Sequence, residues 1–548
     1  MNLNAQPQAV PATPAKPRSP KLVAVVDIGA TSIRMAIAEI GERGQFRTLE
    51  TLSQAVSLGK DTFTMGAIDP ATTEECVRVL KSYRQLLNEY DITRPEQIHV
   101  VATSAVREAV NRLSFLKRIY IATGFNVEPF DEAAVNRVTY LGVLPLLASE
   151  PRLAEAKTLI VEVGGGSTEV LLIDRGDVAL AHTYRLGALR LRKTLEAFHA
   201  PTGKVRAIME SQIARIVDQV RKRVPADHSL IMIALGGDVR FATGELLPAW
   251  DAHSLATVPA GELRKFTEKI VAMSVDEILH KFHLAVPDAE SVGPALLTYV
   301  RLARALRLEE LLVSPINLRD GLIREMASRE EWTENFTHQI VRSAVDFGRR
   351  FGFDEPHGRQ VAELSRMLFR ALQPEHQLGY RHEVILAVAA LLHDVGHAVS
   401  ARSHHKHSMY LISNGDLFGL SQKDVQLAAL IARYHRRSSP KPIHESYAAL
   451  DWESRTTIVK LAAILRLADA LDRNNNQRVK NIQCAREDGR WVISVPGADD
   501  LSVEQLAVQQ KAGLFKEVYG MPVLVRNAPE RLERTPQSPR LQIPIASR

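Results

Sequence analysis

Two cysteines in 548 residues, Cys76 and Cys484, provide neither a disulfide framework nor a thiolate metal site. No apolar run reaches the length of a membrane span. The longest, at 384–392, is broken at once by His393-Asp394. The N-terminus lacks the basic-then-apolar layout of a signal peptide, so the cytoplasm is the expected compartment. Neither sign of charge dominates: 69 Lys and Arg against 63 Asp and Glu leave a net charge of +6. That balance favours an anionic partner weakly, and nucleic acid, polyphosphate and nucleotides would all satisfy it; sequence-specific nucleic acid binding is not expected. What is present is an apolar content of 45%, enough for several sizeable cores.

Two short stretches organise the chain. Val23–Asp27 is an apolar run ending in an acid, followed by Ile28, the small turn Gly29-Ala30-Thr31-Ser32 and a second strand-like run. The same shape returns at Leu159–Glu162, then Val163, Gly164-Gly165-Gly166-Ser167 and Thr168-Glu169. Glycine lets backbone approach a ligand closely, and successive N–H groups in such a turn make an anion-binding concavity. An acid at the strand end can hold a divalent ion where phosphate charge gathers. The repetition predicts two related α/β lobes, 21–134 and 135–326, gripping one phosphorylated ligand. Phosphate contacts are expected from Gly29, Thr31, Ser32, Gly164, Gly165, Gly166, Ser167 and Thr168. Arg107, near the start of the helix after the strand at 97–102, is a further phosphate contact. A third glycine turn, Gly236-Gly237 after the strand at 231–235, is a candidate nucleotide or chain contact.

From 327 to 475 the pattern becomes helical, followed by a small α+β segment at 476–526. Proline-rich tails at 1–20 and 527–548 are expected to be loose. In the helical part, His357, His393, Asp394 and Asp469 form a candidate metal set, because a buried carboxylate needs a partner and a divalent cation supplies one. His397, His407 and His435 are further candidate ligands or phosphate contacts. His404, His405 and His444 read as ordinary core or surface residues.

The hairpins, together with Ala102–Ala109, Arg185-Leu186-Gly187 and Arg319-Asp320-Gly321-Leu322, resemble those of exopolyphosphatases and guanosine pentaphosphate phosphohydrolases. The C-terminal part resembles the HD-type domain attached to that family through Leu392–His397, Lys406-His407-Ser408, Ala432–Arg436 and Leu467–Asp472. The resemblance implies an actin-like, ribonuclease H-like pair of α/β lobes, an all-α HD-type domain, Mg2+ in the cleft and a homodimer. It also implies polyphosphate or guanosine pentaphosphate as substrate, and a divalent metal, Mn2+ among those accepted, in the HD-type domain. One departure stands out. The family's Glu-Glu-Ala-Arg motif, whose second glutamate activates water, falls here on Ala134-Val135-Asn136-Arg137. Glu132 and Glu162 are then the candidate catalytic bases, with Asp27 and Glu169 as metal ligands. The competing expectation is a cleft that binds phosphate without hydrolysing it, coupled to chemistry at the helical metal set.

Overall fold

The computed structural model describes residues 21–528 apart from 43, 155, 198–203, 225–228, 329–331, 437 and 499. The expected tail at 1–20 lies outside those residues, as does the one at 527–548 from 529 onward. The first sheet comprises β1 (Lys21–Ile28), β2 (Ser32–Ile40), β3 (Phe46–Ala55), β4 (Ile98–Ala102) and β5 (Val127–Pro129), in the order β3-β2-β1-β4-β5. The second comprises β6 (Lys157–Val163), β7 (Thr168–Asp174), β8 (Asp177–Tyr184), β9 (Leu230–Leu235), β10 (Ala256–Pro259) and β11 (Glu310–Val313), in the order β10-β11-β9-β6-β7-β8. In each, the strand carrying the acid pairs antiparallel with the next strand and parallel with a later one: β1 with β2 and β4, β6 with β7 and β9. The two lobes are thus the same motif used twice.

Both acid-bearing strands are covered on both faces, which explains why they read as apolar runs rather than alternating ones. In β1, Ala24, Val26 and Ile28 enter one core, and Val23 and Val25 another. The second of these is closed by the helices Glu132–Ser149 and Leu318–Ala327, which contribute Val135, Val138, Leu318, Leu322 and Ile323. Asp131 caps the first of them, its carboxylate accepting from the Ala134 N–H at 2.8 Å. Asn317 caps the second, with Asp320 reaching back to the Asn317 N–H at 2.8 Å. Each cap stabilises its helix by about 1 kcal/mol. The two helices touch where Gly321 lies on the Val138 carbonyl, and a Cβ there would collide with that backbone.

Beyond Glu334 the chain is helical. The helices Glu334–Arg350, Glu355–Ala371, Tyr380–Leu392, Gln422–Arg433 and Trp452–Leu471 share one core. That core continues into a small sheet of β12 (Gln483–Glu487), β13 (Arg490–Pro496) and β14 (Val523–Ala528). The helical stretch of this segment is divided in two, Ser502–Lys511 and Gly513–Tyr519, and β14 runs to Ala528 rather than stopping at 526. No helix among the described residues is long and apolar enough to cross a membrane.

Candidate functional site

The two hairpin turns are built alike. Four residues separate the paired ends Ile28–Ile33 in one and Val163–Thr168 in the other. The Gly29 N–H donates to the Ser32 carbonyl at 3.0 Å, and the Gly164 N–H to the Ser167 carbonyl at 2.9 Å. Those two donors are spent inside the turns, so a phosphate would be met by the N–H groups that follow, at Ala30–Thr31 and Gly165–Gly166. The turns face each other across a cleft of about 250 Å³. They come so close that a Cβ on Gly165 would lie 3.1 Å from the Ala30 Cβ; one on Gly166 would strike Ser104 and Phe63, and one on Gly187 the backbone of Gly165 and Gly166.

The cleft collects Asp27, Gly29, Thr31, Ser32, Arg107, Glu162, Gly164, Gly165, Gly166, Ser167, Glu169, Gly236 and Gly237. Sequence reasoning missed Arg34, Asp238, Asp288 and Ser291, which also line it, with the apolar Phe241, Leu284 and Val292 at one side. Among the described residues the charged lining is five carboxylates and two guanidiniums, Arg34 and Arg107. Arg319 stands 3.8 Å from Asp27.

Acids this buried resist ionisation. Burial raises Asp27 against the opposing pull of Arg319 and Arg34. Burial raises Glu162 too; Arg240 opposes the shift and Asp27 adds to it. Glu169 is pushed up to about 8 by burial and by its cross-strand neighbour Glu162, while the Ser167 hydroxyl donates to it at 2.5 Å. Asp238 is pushed up to about 7, chiefly by burial. Asp27 Oδ1 is buried with no hydrogen-bond partner. The orphaned Asp27 oxygen, on a carboxylate close enough to Glu162 to raise it, fits a divalent cation.

Two expected residues sit elsewhere. Glu132 is exposed and lines a neighbouring cavity of about 350 Å³ with Asn136, His182 and Asp416. Three residues of helix carry it about 4.5 Å back along the axis from Val135, which does line the cleft. Arg107 borders both cavities and donates to the Phe130 carbonyl at 2.9 Å, walling Glu132 off. Thr168 is fully turned away: its hydroxyl donates to the Leu186 carbonyl at 2.5 Å, so it is a structural tie and not a phosphate contact. Alternation along β7 requires this, since Glu169 faces the cleft. Arg137, the surviving part of the displaced motif, pairs with Glu325.

A second cluster lies in the helical part. His357, His393 and Asp394 bring ligand atoms together, and so do Asp394, His404 and His435. His404, which reads in sequence as an ordinary core or surface residue, faces Asp394 Oδ1 from 3.1 Å, and His435 does so from 3.5 Å. His397 is exposed and stacks on His404 at 4.0 Å; His407 belongs to neither group. Asp469 stands beside the cluster. Its carboxylate pairs with the Lys511 ammonium and stays 4.0 Å from His357 Nε2, outside both groups. His393 Nε2 and Asp394 Oδ1 are buried without a hydrogen-bond partner, so this donor set also fits a cation.

Comparison with known proteins agrees with this architecture. Residues 36–330 match the Ppx/GppA phosphatase family and residues 341–508 match domain III of the same family. A guanosine-5'-triphosphate,3'-diphosphate pyrophosphatase of Aeromonas hydrophila is 23% identical over 457 residues, spanning 82% of this chain and 86% of that protein. Exopolyphosphatase 2 of Mycobacterium tuberculosis is 25% identical over 321 residues, 56% of this chain and 98% of that one. The crystal structure of an exopolyphosphatase from Cytophaga hutchinsonii, 20% identical, superposes on 56% of this chain and 98% of its own with a TM-score of 0.51, which bears on the two-lobed actin-like fold alone. With the matched turns, the paired sheets and a family match over more than half its length, this chain belongs to the Ppx/GppA phosphatase family.

Proposed function

We propose that the chain is a phosphohydrolase that removes the terminal phosphate of a linear phosphoanhydride, inorganic polyphosphate or guanosine pentaphosphate, in the cleft between its lobes. The observation that carries this reading is the pair of facing glycine turns around one cavity rich in buried carboxylates. The names of the relatives agree with it. The Ala30–Thr31 and Gly165–Gly166 N–H groups and Arg107 hold the terminal phosphate and meet the charge that develops on its oxygens. Glu162 takes the proton of the attacking water as the new P–O bond forms and the anhydride bond breaks, releasing orthophosphate and a chain shorter by one unit. Val135 puts a methyl-bearing wall where the family's glutamate stands, so the base has moved from the crossing helix to β6. Asp27 and Glu169 would hold Mg2+, which would supply neutralising charge there.

Glu162→Gln is expected to lower orthophosphate release from polyphosphate or guanosine pentaphosphate by about 10³-fold without lowering thermal stability. Full activity in Glu162→Gln, with loss in His393→Ala, would move the chemistry out of the cleft. We also read the helical part as an HD-type domain holding a divalent metal. Its four histidines converging on Asp394 support that reading.

A further inference from the structure

A trans peptide group is flat, with its N–H and C=O pointing opposite ways, so whatever holds one carbonyl aims the next residue's N–H. Three successive carbonyls of the second glycine turn are held by one element, the helix Ala188–Ala197. The Ala188 N–H donates to the Gly164 carbonyl and the Arg190 N–H to the Gly165 carbonyl, each at 2.9 Å. First-turn N–H groups have no acceptor within their own helix and are free to make such bonds. The third carbonyl, on Gly166, accepts from a side chain instead, Arg190 Nε at 2.6 Å. That bond governs the direction of the Ser167 N–H, and Ser167 lines the cleft. In the first turn the carbonyls are held by backbone: Ala30 accepts from the Gly59 N–H at 2.8 Å and Thr31 from the Val56 N–H at 2.9 Å.

Arg190 is fixed in turn by the other lobe. Its Nη2 donates to Glu108 Oε1 at 2.7 Å, and its guanidinium lies over the Phe63 ring at 4.2 Å. Glu108 and Phe63 belong to the first lobe, Arg190 and Gly166 to the second. Both side chains of the ion pair are 17% exposed, so water competes little for it. Glu108 also pairs with Arg185 of the second lobe. Gly166 has no Cβ, so without the guanidinium little opposes a turn of the Gly166–Ser167 peptide. Such a turn would point a carbonyl, the negative end of its dipole, at a bound anion.

We propose that Arg190 is a positioning residue of the second glycine turn. Its guanidinium holds the Gly166–Ser167 peptide with the Ser167 N–H toward the phosphate, and its pairing with Glu108 makes that hold depend on the two lobes being closed. This rests on reading the cleft as a phosphohydrolase site and adds what keeps one of its two turns in shape.

The test compares phosphate release by the full chain and its variants, on guanosine pentaphosphate and on polyphosphate, with circular dichroism and the melting midpoint establishing that each is folded. Arg190→Ala is expected to lose about 10²-fold in kcat with KM within a few-fold of the parent, as for a donor needed in the transition state. Guanidinium added below denaturing concentration should restore part of the loss, and urea at the same concentration none. Arg190→Lys keeps the charge but cannot reach Gly166 and Glu108 together; it carries the test if the alanine variant does not fold, with a loss of about 10-fold expected. Glu108→Gln added to Arg190→Ala should cause no further loss, and additive losses overturn the link between lobes. Unchanged kcat in the Arg190 variants, or a loss that guanidinium does not relieve, overturns the positioning role, while a loss in Glu162→Gln still supports the cleft reading. Should the parent release no phosphate, that reading fails, and orthovanadate, which adopts the geometry of a transferring phosphoryl group, decides the positioning role. Calorimetry should then show it bound about 10-fold more weakly by Arg190→Ala, and equal affinity overturns the role.

Discussion

The two hairpins share a turn, a register and an acid two residues before the first glycine, yet differ at one cross-strand position. Opposite Asp27 in the first lobe stands Arg34; opposite Glu162 in the second stands Glu169. A duplicated scaffold has thus been given opposite charge at equivalent places. The first lobe presents a cation to the cleft, and the second presents a pair of acids. Repetition of backbone accordingly does not mean repetition of role.

The division can be broken by exchanging charge. Glu169→Gln, on the acidic side, is expected to cut the rate of phosphate release at saturating substrate by about 10²-fold, equivalent to ~2.7 kcal/mol. Arg34→Gln, on the cationic side, should instead raise KM by about 10-fold and leave kcat within a few-fold, because it removes binding common to ground and transition states. Equal losses of kcat in both variants would show that the lobes are not divided in this way. A smaller effect is expected from Val135→Glu, which returns an acid to the crossing helix. Phosphate release should rise by about 3-fold, at some cost in melting temperature because another carboxylate is buried.

The smallest effect concerns pH. Glu169 ionises at about 8 in the fold, above its ordinary value near 4.5. A carboxyl raised on folding contributes stability that is present at low pH and lost as pH climbs toward the folded value. In chelator, therefore, the melting midpoint should fall by about 5 °C between pH 5 and pH 8. Glu169→Gln should flatten that slope, and so should saturating Mg2+.

Much of the fold was legible because its signals are local. Apolar strands closed by glycine turns located both hairpins, and the acid two residues earlier located Asp27 and Glu162. The misreadings came from residues whose direction depends on a neighbour in space. Thr168 adjoins the glycine loop in sequence, but strand alternation turns it to the far side. His404 sits in Arg402-Ser403-His404-His405-Lys406-His407, which reads as a solvated run. The helix that begins at His404 aims that one ring inward, where it is buried against Asp394. Arg34, Asp238 and Asp288 are single charges without a motif, and only the closing of two lobes around one cavity gives them a common purpose.

One carboxylate joins the halves of the molecule mechanically. Asp131 accepts from Ala134 to start the helix bearing Val135, and its other oxygen accepts from the Gln422 N–H at 3.0 Å, at the head of a helix in the C-terminal half. Lifting that half away would strip the crossing helix of a tether at the very turn that sets how far Val135 reaches between the lobes. The large C-terminal portion is in that sense a brace on the wall of the reaction chamber, and its departure would be felt as a change in the chamber's width.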